Sequence, residues 1–402
     1  MKRRRVKITG IGPVTPAGIG REAFWKGILE PVSRVRPFTK LGEEYGSFAA
    51  GFMEDFDVNH YVDRARLPKG SSRQTMFAVA GASLALTDAG LKVDELNAAH
   101  AVIVTGSSLM DFGSIGGSIE GVTKRGPRGA QPRALYAMGI SSVPTSINQA
   151  LGLEARTLAV STQCSAGMDA IGYAADLVST GEAEIAICGG SEAPLYRFPL
   201  MELRAAELTP ANREWSERLA RPFDLWRTTG VVSEGAAMFI LEPETSSRPG
   251  YSCVAGYAFA NDEGEDICSG MVDSARLALA EARLRPADVD LICAWGPGHK
   301  QVDAGEARAM GRLFGPALSD IPVVSIQGAI GTSLGATPAI QVAATCLGQR
   351  NGLVPPTVNW KDADPLCPLN LSASVRALPH AVTLINAHGA GGVNASLILT
   401  RC

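Results

Sequence analysis

Histidine is scarce in this chain: five in 402 residues, at positions 60, 100, 299, 380 and 388, with no metal-ligand spacing among them. Neither a metal nor an organic cofactor is expected. Aromatic residues make up only 6% of the sequence. No apolar run approaches the roughly 18 residues of a membrane span. The opening MKRRRVK passes straight into VKITGIG, without the longer apolar region and small-residue cleavage site of a signal peptide. A cytoplasmic protein with no membrane span is expected. The net charge is −3 and the only basic cluster is that short opening one, so no nucleic-acid partner is expected. The eight cysteines, at 164, 188, 253, 268, 293, 346, 367 and 402, form no CxxC pair. Their scatter predicts free thiols in a reducing compartment.

The chain is 46% hydrophobic and 19% charged, values that suit a large buried core. Its length predicts two domains or one doubled domain. Two stretches favour doubling. ASLALTDAGLKVDELNAAHAVIVTG, from Ala82, and ARLALAEARLRPADVDLICAWG, from Ala275, both read as an amphipathic helix, an Asp-containing turn and a short apolar strand ending in glycine. Upstream, VKITGIG at 6–12 has a counterpart in YSCVAGY at 251–257. The reading is an α/β protein of two halves, 1–245 and 250–402, with a seam in PETSSRPG at 243–250. Each half should be a mostly parallel sheet with helices on its faces. Cys188 in EIAICGG and Cys293 in DLICAWG lie in strand-like runs and read as small core residues.

Residues 162–168 read TQCSAGM. An apolar run, TLAV, breaks just before them, and Met168, Ile171 and Leu177 then recur at helical spacing. Cys164 therefore stands at a strand-to-helix turn, where free N–H groups favour a thiolate. That makes it a candidate nucleophile.

Several ordered segments carry a resemblance. VKITGIGPVTPAG, GPRGAQPRAL at 126–135, STQCSAG, EIAICGGSEA, RPFDLWRTTGVVSEGAA with Glu234, VPPTVN and NAHGAGGVNAS at 386–396 together resemble the β-ketoacyl-acyl carrier protein synthases of the thiolase fold, including ketosynthases and chain-length factors. The resemblance spans nearly the whole chain. It implies a thiolase-like fold, two pseudo-repeated halves forming a layered α-β-α-β-α core. It also implies acyl thioesters on an acyl carrier protein, and a homodimer or a heterodimer with an active ketosynthase. In such enzymes a cysteine takes the acyl chain, and two histidines assist decarboxylation and stabilise the enolate. Here AWGPGHKQVDAGE puts Trp295 at the first histidine, keeping Asp303 and Glu306, which the resemblance assigns to holding the loop. SIQGAIGT puts Gln327 at a lysine and Thr332 at the second histidine. Glu234 is expected to be buried, bonded to backbone or to Gln327.

Losing one preorganised oxyanion donor costs about 10² to 10³ in rate. Indole cannot shuttle protons, and a threonine hydroxyl is no base near neutral pH. The first reading is thus a chain-length-factor-like partner subunit of fatty acid or polyketide biosynthesis, not competent for ordinary decarboxylative condensation. Such factors usually carry glutamine where this chain has Cys164. The alternative is a Cys164-dependent acyltransferase or thioesterase. It would draw its oxyanion hole from Gly389, Ala390, Gly391 and Gly392, and a base from His388, which lies in the loop that the family brings beside the nucleophile. Two remoter readings are an active synthase with a non-standard site, and a GxSxG hydrolase using GTSLG at 331–335 with Asp364 and His388.

Overall fold

VKITGIGPVT is buried at every position, so the strand it forms is covered on both faces. Its glycines are needed for that cover. A Cβ on Gly12 would lie 2.0 Å from the Gly81 carbonyl oxygen, and one on Gly10 would lie 2.2 Å from that of Ala85, both on the helix packed above. The protein is described here by a computed structural model covering residues 4–42, 45–210 and 219–402.

The strands that organise the molecule are β1 (Val6–Thr15), β2 (Ala101–Gly106), β3 (Arg156–Val160), β4 (Ile185–Glu192), β5 (Gly235–Pro243), β6 (Ser252–Asn261), β7 (Leu291–Cys293), β8 (Val323–Val324), β9 (Val382–Gly389) and β10 (Val393–Thr400). The helices that matter below are α1 (Arg73–Ala89), α2 (Ala166–Thr180), α3 (Gly270–Ala282), α4 (Lys300–Phe314) and α5 (Thr337–Asn351). Among the described residues the strands run in the order β3-β2-β4-β5-β1 and then β6-β10-β9-β7-β8, meeting where Val6–Ile8 pairs with Ser252–Val254. The two halves repeat one another strand for strand. In each, the outer pairings are parallel and the inner ones antiparallel.

The sheets are therefore mixed, where a mostly parallel one was expected. Helical periodicity between two strands argues for a crossover and parallel pairing, but β9 and β10 are joined by only Ala390–Gly392, and so short a turn can link only antiparallel strands. Helices α2 and α5 lie between the halves, α1 covers β1 and β5, and α3 covers β6 and β10. This is the five-layered, thiolase-like arrangement. Pro338 falls in the first turn of α5, where its missing N–H costs nothing.

The expectation of eight free thiols is corrected. Cys253 and Cys402 form a disulfide, with Cα atoms 5.2 Å apart. The register pairs Cys253 with Thr400, which brings the C-terminal residue alongside; cysteine spacing cannot reveal such a cross-strand neighbour. Cys188 and Cys293 are buried core residues. No described helix is long and apolar enough to cross a membrane. The tryptophan at 215 falls outside the described residues, and Trp226 is exposed.

Candidate active site

After β3 the chain turns through residues 161–165 and enters α2. Gln163 takes the left-handed conformation, φ 56°, a cost the surroundings have to meet. They do so through Asp169, one turn into α2. Its buried carboxylate accepts hydrogen bonds from the Thr162 hydroxyl, from Ser165 Oγ at 2.9 Å and from Tyr257 OH at 2.6 Å.

Cys164 sits partly buried at this turn, with the backbone N–H of Ala390 near enough to favour its thiolate. The Ser108 hydroxyl lies against the sulfur and has no other partner. Burial pushes the thiol up to about 11, with the nearby Glu192 carboxylate adding to the rise; Ser108 and Ala390 only partly offset it. This overturns the expectation of a thiolate stabilised by the helix start. Three of the first four N–H groups of α2 are already used: Ala166 donates to the Gln163 carbonyl, and Met168 and Asp169 donate to that of Ser165.

Glu192, at the end of β4, is fully buried. Its oxygens accept from Ser108 N at 2.7 Å, from Leu109 N at 3.3 Å and from Ser107 Oγ at 3.3 Å. Desolvation nevertheless pushes it up to about 8.

A cavity of about 100 Å³ opens on Cys164 and is also lined by Trp295, Thr332, His299, His388 and Ala390. The three substituted positions form one neutral chain. Thr332 Oγ1 donates to Gln327 Oε1, and Gln327 Nε2 donates to the Trp295 carbonyl. Glutamine fits there because it both donates and accepts; a lysine could not accept the threonine proton. The Trp295 side chain is 3% exposed and packs into the core between the two halves.

Glu306 accepts from Trp295 N and Gly296 N, both at 2.9 Å. Asp303 accepts from Phe223 N at 2.6 Å and Gly298 N at 3.1 Å, so the two carboxylates hold the loop after Trp295. Burial pushes Asp303 up to about 8, even with Arg227 3.6 Å away. Glu234 is buried and bonded to backbone, one of the two arrangements expected, with Met53 N donating at 2.9 Å; its other partner is Arg73, which grips both its oxygens at 2.6 and 2.7 Å, and not Gln327.

Of the four residues 389–392, Ala390 is the one whose N–H acts on the Cys164 thiol. Gly389 packs its backbone on the nucleophile turn, where a Cβ would lie 3.0 Å from Cys164 N. Gly391 and Gly392 make the tight turn with φ 85° and 82°, and the Gly392 N–H is spent on the Gly389 carbonyl. His388 reaches the cavity from β9. The GxSxG reading fails: Ser333 is fully buried, and Asp364 is tied to Arg227 at 2.5 Å, away from His388.

Sequence reasoning missed His299, Asn394, Ser108 and Glu192. The signal for His299 was available, since Gly296 and Gly298, at φ 39° and 86°, fold the loop back so that a residue four positions beyond Trp295 rejoins its cavity. For Glu192 it was a lone charge ending the apolar strand IAICGGSE.

The β-ketoacyl synthase N-terminal domain model matches residues 3–247, and the C-terminal domain model matches 251–361. The chain belongs to the β-ketoacyl synthase family. A putative polyketide β-ketoacyl synthase 1 of Streptomyces cyaneus is 32% identical to this ketosynthase-like chain over 99% of its length and 98% of the relative's. The solved ishigamide ketosynthase/chain length factor superposes with a TM-score of 0.92 at 28% identity, covering 100% of each chain. A type II polyketide synthase acyl-carrier protein in complex with its ketosynthase bound to the hexaketide gives 0.90 at 27% identity, again covering 100% of both chains.

Proposed function

We propose that this ketosynthase-like chain is a non-condensing, chain-length-factor-like subunit of polyketide or fatty acid biosynthesis, acting in the cytoplasm on thioesters of an acyl carrier protein. One observation carries the reading: the two positions that the family resemblance assigns to catalytic histidines hold Trp295 and Thr332, tied through Gln327 into a chain with no base in it. The loss of two donors predicts a condensation rate lower by about 10⁴ or more, if they act independently.

A protein partner is supported by the surface. β3 is an edge strand, and the exposed apolar side chains Leu158, Leu135, Met138 and Ile119 belong to it and to the helical segments 112–125 and 132–138. The occupant is an active ketosynthase or a second copy of this chain. Co-expression with the ketosynthase of the same pathway tests this: a stable heterodimer supports the reading, and a homodimer that never exchanges with the ketosynthase counts against it.

A second reading, acyl transfer through Cys164, is favoured by the Ala390 N–H near the thiol and by two histidines lining the same cavity.

A further inference from the structure

Two histidines from different elements line the Cys164 cavity, and their partners fix which nitrogen of each carries the proton. His388 Nδ1 lies 2.9 Å from Asn394 Oδ1. The Asn394 amide cannot be turned round, because its two N–H groups face acceptors only: Asp262 Oδ1 at 2.7 Å and Gly392 O at 3.1 Å, with Ala260 O a more distant third at 3.5 Å. An amide oxygen only accepts, so His388 Nδ1 holds the hydrogen and Nε2 keeps its lone pair.

His299 is fixed in the opposite sense. The backbone N–H of Val302 donates to its Nδ1 at 3.4 Å, at the start of α4. A backbone N–H only donates, so Nδ1 is bare and Nε2 carries the hydrogen. Burial also holds this imidazole below its usual range, which keeps it neutral. One ring therefore has an acceptor nitrogen free and the other a donor, and both line the cavity of a thiol that rests protonated.

We infer that Cys164, His388 and His299 form a hydrolytic site for short-chain acyl thioesters, with Asn394 as the positioning residue that holds His388 in its basic tautomer. The inference rests on the second reading above and deepens it. In the first step Cys164 Sγ attacks the thioester carbonyl, and the developing oxyanion is met by Ala390 N–H and His299 Nε2–H. His388 Nε2 takes the thiol proton and passes it to the departing carrier thiol as the old C–S bond breaks. In the second step water attacks the acyl-Cys164 thioester, His388 takes a proton from the water, and the proton goes to the Cys164 sulfur as that C–S bond breaks. The products are a free carboxylic acid and the carrier thiol. The cavity's small size, about 100 Å³, sets the substrate class: it favours short acyl groups, from acetyl to butyryl.

The test uses the full chain with acetyl- and butyryl-carrier protein, following thiol release and intact mass. Wild type should turn over and release free acid. His388→Gln should lower turnover about 10² to 10⁴-fold and slow both the formation and the hydrolysis of the Cys164 adduct. His299→Asp keeps an acceptor for the Val302 N–H but loses the cavity donor, and should slow both steps about 10² to 10³-fold. Asn394→Ala should lower kcat with KM unchanged, a split that a purely structural role would not give. Each variant's melting temperature is measured alongside. A wild-type adduct that persists for hours, or a folded His388→Gln that turns over like wild type, overturns the hydrolytic site and leaves acyl transfer to Cys164 standing. The absence of any Cys164 adduct or turnover with either carrier overturns the acyl-transfer reading itself.

Discussion

Replacing Glu192 with glutamine should make Cys164 easier to ionise. In the wild type the thiol is pushed from 9.0 to about 11, first by burial and second by the Glu192 carboxylate. Glu192 itself titrates near 8, so it is charged over the whole range in which the thiol would lose its proton. It is the second of the two causes that raise the thiol, after burial, so removing its charge should increase the thiolate fraction at a given pH. Glutamine can occupy the site: its oxygen replaces the one that accepts from Ser108 N, and its NH₂ can donate to Ser107 Oγ, giving up the long bond from Leu109 N. The assay is the rate of iodoacetamide labelling of Cys164 against pH, read by mass spectrometry on the folded protein. The inflection should move down and stay above 9.0, because the burial, the larger cause, is unchanged. A wild-type inflection at or below 9.0, or an unchanged inflection in Glu192→Gln, would refute the reasoning.

The same carboxylates set a pH dependence of stability. Glu192 and Asp303 are raised from 4.5 and 3.8 to about 8 on folding, so the folded chain binds more protons than the unfolded one between those values. Their contribution is fully present below about pH 4 and is lost as pH rises to about 8, at up to about 1.4 kcal/mol per pH unit for each group. Urea midpoints should therefore fall from pH 6 to pH 8, and fall less steeply in Glu192→Gln; equal slopes would count against the assignment. Trp295→Ala removes a buried indole at the cavity wall and should cost about 3 to 5 kcal/mol by chemical denaturation. It should also admit longer acyl groups to Cys164. Thiol titration of the denatured chain should find six free thiols before reduction and eight after it; eight before reduction would exclude the Cys253–Cys402 bond.

Much of the fold was legible because it is written twice. The matched strands at 6–12 and 251–257, and the matched helices from Ala82 and Ala275, became β1 and β6, and α1 and α3, at equivalent places in the two halves. Strand direction was not legible, because periodicity marks an element's exposed and buried faces but not its neighbour's polarity. At the site, the turn around Cys164 and the loop-holding carboxylates Asp303 and Glu306 could be placed from the resemblance. Charge state could not. The sequence puts Cys164 at a helix start, but only the coordinates reveal that three of those N–H groups bond turn carbonyls and that Glu192 lies close by. The burial and backbone bond of Glu234 were foreseen, but its ion-pair partner was not, since Arg73 is 161 residues away in sequence.

The most direct test of the account is to incubate the full chain, alone, with acyl- and malonyl-carrier protein and follow carbon dioxide release and 3-oxoacyl product together. The Trp295–Gln327–Thr332 chain predicts no condensation product above background, whatever happens at Cys164. A 3-oxoacyl product formed at rates typical of enzymes, about 1 s⁻¹ or more, and lost in Cys164→Ala, would contradict it.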